Sequence, residues 1–71
     1  MTYVVKREMN RVTAHYFRSP RGVYEFLSDY YSHDIASKAE GWCELASVGE
    51  EYEDSEFNGK FEEGFTISVK E

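Results

Sequence analysis

Seventy-one residues with fourteen acids against eight lysines and arginines carry a net charge of −6, on a chain near the lower limit for a self-sufficient core. Six Tyr, five Phe and one Trp argue against disorder, because acidic chains that stay unfolded are poor in aromatics. A single cysteine excludes an intramolecular disulfide, and no apolar run approaches the ~20 residues that cross a bilayer.

The chain reads as one domain, 1–71, with core burial worth about 3–5 kcal/mol at this size. Dimerisation is a common remedy for so small a core. MTYVVKREMNR has no apolar stretch of signal-peptide length, so the expected location is the cytoplasm, where a lone thiol is comfortable.

Thr2 to Arg7 alternates, Tyr3 and Val5 against Val4 and Lys6, as a strand does. Arg11 to Phe17 alternates again, with Val12, Ala14 and Tyr16 on one face and Arg11, Thr13, His15 and Phe17 on the other. Glu8-Met9-Asn10 between them is the expected hairpin turn, since Asn tolerates a positive φ. Ser19 followed by Pro20 is an N-terminal helix signal, and Val23, Phe26, Leu27, Tyr30 and Tyr31 predict a helix from about Pro20 to Tyr31. Ser32 or Asp34 then caps a second helix in His33 to Gly49, whose stripe is Ile35, Ala39, Trp42, Cys43 and Ala46, with Gly49 as its left-handed end. Trp42 is expected beneath the sheet.

Asn58-Gly59 between Phe57 and Phe61 signals a hairpin, and Glu63-Gly64 reads as a second turn. Phe65, Ile67 and Val69 alternate with Thr66, Ser68 and Lys70 in a terminal strand. The expected class is α+β, two layers, with two helices on one face of a small antiparallel or mixed sheet in the order β-β-α-α-(β)-β.

No constellation carries recognisable chemistry. Cys43 lies on the apolar stripe, where free cysteines usually pack. His15, His33 and Cys43 lack any C-x-x-C or H-x-x-H spacing, so neither a metal nor a cofactor is expected. Asp29 and His33 at i and i+4 read as a solvated pair rather than as an oriented base. The chain is not expected to be an enzyme.

Charge is the informative feature. Residues 1–21 hold Lys6, Arg7, Arg11, Arg18 and Arg21 against Glu8, a net +4, and residues 22–71 hold three lysines against thirteen acids, a net −10. Glu50, Glu51, Glu53, Asp54 and Glu56 put five acids into seven residues, without the ligand order of a calcium loop. The preferred function is therefore a protein-binding module or inhibitor. These acids, with Tyr52 and Phe57 as apolar anchors, would occlude a basic site on a larger protein, such as a nucleic-acid-binding one. Small acidic proteins carried by phages and mobile elements often act in this way, an analogy of size and charge and not a match to a family motif. The alternative is weak nucleic-acid binding through Arg11, Arg18 and Arg21 with stacking by Phe17, opposed by the remaining −10. A third reading is a homodimer in which the basic hairpin meets the acidic run of its neighbour.

Overall fold

The two alternating N-terminal stretches form β1 (Thr2–Glu8) and β2 (Val12–Phe17), paired antiparallel from Tyr3 opposite Phe17 to Glu8 opposite Val12. This computed structural model describes residues 1–8, 12–59 and 61–71. The expected turn at Met9-Asn10 lies outside the described residues.

Helix α1 (Pro20–Ser28) begins as its sequence dictates. Ser19 is extended and its Oγ accepts from the Gly22 N–H at 3.1 Å, satisfying one of the orphan donors of the first turn. The helix stops short of the expected Tyr31, its end tightening as the Asp29 and Tyr30 N–H groups bond three residues back to the Phe26 and Leu27 carbonyls, at 3.2 and 3.0 Å. That tight end turns Tyr31 into the core, 4.9 Å from Phe65. Ser32 then caps α2 (His33–Leu45), its Oγ accepting from the Ile35 N–H.

Gly49 does not end α2. The chain becomes extended at Ala46, and Gly49, with φ at +96°, forms the turn that starts the next strand by donating to Val69 O. β3 (Glu51–Asn58) and β4 (Phe61–Lys70) follow. Asn58 pairs with Phe61, so the hairpin loop begins at Gly59, φ +69°, one residue later than the Asn-Gly signal placed it. Glu63-Gly64 is not a turn. Gly64 lies mid-strand between Glu8 and Ser55, where ladders on both sides hold β4 straight through.

The result is a four-stranded antiparallel sheet in the order β2-β1-β4-β3 with both helices on one face, an α+β fold. Tyr3, Val5, Phe65, Ile67 and Val69 supply the sheet side of the core, and Val23, Leu27, Tyr31, Ala36, Ala39 and Cys43 the helix side. The small residues on α2 let that helix approach closely, and Trp42 is correspondingly displaced. It sits half-buried at the margin, 5.3 Å from the Tyr52 ring, rather than beneath the sheet. Tyr3 ties the layers together by donating to the Cys43 carbonyl, one of the unpaired acceptors at the end of α2.

Candidate interaction edge

In an antiparallel sheet, residues directly opposite one another share a face. Tyr52, Asp54 and Glu56 pair with Ile67, Phe65 and Glu63, and so face the helices. Glu51, Glu53, Ser55 and Phe57 pair with Ser68, Thr66, Gly64 and Glu62 on the uncovered face. The acidic run is thus an edge strand whose two sides have different work.

The helix-facing side is engaged inside the molecule. Tyr52 packs between Trp42 and Phe65, with ring centroids 5.3 and 6.1 Å away, and its hydroxyl donates to Asp54 Oδ2 at 2.8 Å. Burial and the adjoining carboxylate push its hydroxyl up to about 12. Glu56 accepts the Ser32 N–H on both carboxylate oxygens, at 3.2 and 3.0 Å, which places a negative charge at the start of α2. Glu50 Oε1 accepts from the Ser47 N–H at 2.7 Å. Of the seven residues expected to meet a partner, Tyr52, Asp54 and Glu56 are therefore drawn into the fold, and Glu50 closes the turn before β3.

The uncovered side is more open, although Glu62 Oε1 accepts from Ser55 Oγ at 2.6 Å and Glu51 Oε1 from Ser68 Oγ at 3.4 Å. Glu51, Glu53 and Phe57 are exposed, Phe57 at 71%, and Glu62 joins them from β4. An open groove of about 750 Å³ runs here, lined by Glu53, Asp54, Ser55, Glu62, Gly64, Phe65 and Thr66. The absent side chain at Gly64 deepens it. Glu62 was not among the expected residues, because the supposed turn at Glu63-Gly64 hid its place opposite Phe57.

Among the described residues, Arg7 and Arg21 of the basic half are held by other side chains rather than gathered on a basic face. Arg7 is 8% exposed on the helix side of β1, where its guanidinium stacks 3.8 Å above the Tyr30 ring, donates to the Tyr31 hydroxyl and lies 3.6 Å from Glu63. Arg21 pairs with Glu40 and Glu25 and stacks on Tyr24. Phe17 is half-buried against Phe26 at 5.3 Å, leaving Arg18 exposed beside it, while Arg11 lies outside the described residues. The face of β2 that water sees is Val12, Ala14 and Tyr16.

Two further groups could carry chemistry. Burial, aided by Glu40, pushes the Cys43 thiol up to about 11, away from the reactive thiolate. His33 Nδ1 is 2.6 Å from the Tyr24 hydroxyl and its Nε2 is 3.4 Å from Ser37 Oγ, partners that sequence spacing did not suggest. Because α1 ends at Ser28, Asp29 and His33 do not share a helix. The Ser37–His33–Tyr24 row lies on exposed helix surface, and the groove beside Gly64 does not reach it. Among the described residues, no three His, Cys, Asp or Glu side chains are grouped to hold a metal ion, and no helix is long and apolar enough to cross a membrane. Compared with protein-family models, curated proteins and solved structures, the chain matches none.

Proposed function

We propose that the chain is a small binding module whose acidic edge strand β3 holds an extended, basic segment of a larger protein and so occludes that partner's phosphate-binding surface. The supporting observation is the division of the acids by strand parity. Glu51, Glu53 and Glu62 stand on an uncovered face beside exposed Phe57, and the outer backbone of β3 belongs to no other strand of the sheet. An added strand gains main-chain hydrogen bonds there, its lysines or arginines meet the carboxylates, and Phe57 gives the apolar contact that charge alone lacks. A bare edge invites indiscriminate pairing; the carboxylates restrict it to positively charged strands.

The test is NMR titration of the labelled chain with a peptide alternating lysine and threonine. Shifts should concentrate at Glu51–Phe57, and the triple variant Glu51→Gln, Glu53→Gln, Glu62→Gln should bind at least about tenfold more weakly. Equal affinity of the triple variant sinks the proposal. The nucleic-acid alternative has less behind it, because Arg21 is ion-paired and Phe17 packs against Phe26.

A further inference from the structure

The sheet has a second free edge, and its character is opposite. From Val12 to Phe17, β2 contains no charged residue and no proline, and it pairs with β1 through six consecutive positions without a bulge. Natural edge strands normally carry at least one of those guards. Val12 at 59% and Tyr16 at 70% exposure flank Ala14 on the uncovered face. On the helix side the same margin shows a row of partly covered rings, with Phe26 4.4 Å from His15, 5.3 Å from Phe17 and 5.1 Å from Tyr30.

We propose that β2 is the contact through which two copies of this chain join, antiparallel and edge to edge, into one eight-stranded sheet. Three observations select a second copy as the occupant. A strand without charge is self-complementary. With Ala14 opposite Ala14 of the other copy, Val12 of each chain falls opposite Tyr16 of the other, both pairs stay on the uncovered face, and both helix layers lie on the same side. The charge distribution points the same way. β2 and β3 are opposite edges, so joining the β2 edges sets the two acidic strands at the far ends of the assembly, about 34 Å apart at ~4.8 Å per strand. That is several Debye lengths at physiological salt, so the two acidic strands add little repulsion in this arrangement. Pairing through β3 would instead bring Glu51, Glu53 and their counterparts together. This contact does not depend on β3 recognising anything.

Sedimentation of the full chain, read with amide hydrogen exchange from micromolar to millimolar concentration, tests it. The mass should approach twice the 8.3 kDa of one chain. Outward-pointing amides between Val12 and Phe17 should become protected as concentration rises, with no change along β3. Ala14→Lys sets like charges against each other at the dyad and Tyr16→Lys removes the ring; each should raise the dimer dissociation constant at least about tenfold, whereas Glu53→Lys should not. Raised salt should leave the dimer intact, since no ion pair holds it. A single-chain mass throughout, exchange along β2 that ignores concentration, or a dimer that survives both lysines overturns the proposal. So does loss of the dimer in Glu53→Lys alone, which assigns the contact to β3. Exchange on the unaltered chain decides the matter whether or not either variant folds.

Discussion

Substituting Glu56 separates the structural acids of β3 from those available for recognition. Its carboxylate is the acceptor for the Ser32 N–H and sits at the positive end of α2. A hydrogen bond to a charged acceptor contributes about 1.5–3 kcal/mol and the dipole about 0.3–1, and partial exposure puts this one at the low end. Glu56→Ala should therefore cost about 1–2 kcal/mol, and Glu56→Gln, which keeps one acceptor oxygen, about half that. For a domain this small each kcal/mol moves Tm by about 4–8 °C, so the alanine variant should melt roughly 4–16 °C lower by circular dichroism. Glu53→Gln should show the reverse, a parental melt with weakened binding of the lysine–threonine peptide. Two results would refute the reasoning. One is an alanine variant melting within about 1 °C of the parent. The other is Glu56→Gln weakening peptide binding as much as Glu53→Gln does, which would mean that strand parity does not sort the carboxylates.

Alkaline pH should destabilise the fold through two groups. The Cys43 thiol goes from 9.0 to about 11 on folding and the Tyr52 hydroxyl from 10.0 to about 12. Both are raised, so the folded state keeps protons that the unfolded chain releases. Their contribution is complete below pH 9 and is lost as the pH climbs from 9 to 12. Urea midpoints should fall across that window, less steeply in Cys43→Ala, and labelling of native Cys43 at pH 7 should be far slower than in urea; fast labelling contradicts its burial. Arg7→Ala leaves Glu63 without its cation and Tyr30 without the stacked guanidinium. It should cost about 2–4 kcal/mol in urea unfolding, with much of that recovered by the paired change Arg7→Leu, Glu63→Leu. A loss below about 0.5 kcal/mol would show that the pair contributes only what exposed ones do.

Local signals carried the element order well. The period of two found β1 and β2, and Ser19-Pro20 and Ser32 marked both helix starts. Facing was harder to read. Val12, Ala14 and Tyr16 form the more apolar side of β2, yet they face water because both helices lie on the other side of the sheet. Tyr3 and Val5 point inward, and the register Val5 opposite His15 compels His15 and Phe17 to follow them. The same parity, continued past Val5, puts Arg7 inside, a deduction available from the sequence but masked by the charge of the residue. Likewise, Tyr52, Asp54 and Glu56 alternate with Glu51, Glu53 and Ser55. Acids on both faces flatten the hydrophobic contrast that reveals a strand. Only the pairing partners on β4 distinguish the two sets.

The central position of β1 and β4 has a consequence for the order of events during synthesis. Thr2 lies opposite Lys70, so the innermost ladder joins the first strand of the fold to its last. A nascent chain can pair β1 with β2 early, but the core has no complete floor until residues 61–70 have left the ribosome. Closing so long a loop delays the gain from every contact across it. The early half of the chain must therefore wait with Tyr3, Val5 and the apolar faces of both helices uncovered. Arrival of β4, rather than growth of any one helix, is the step that commits this domain to its folded state.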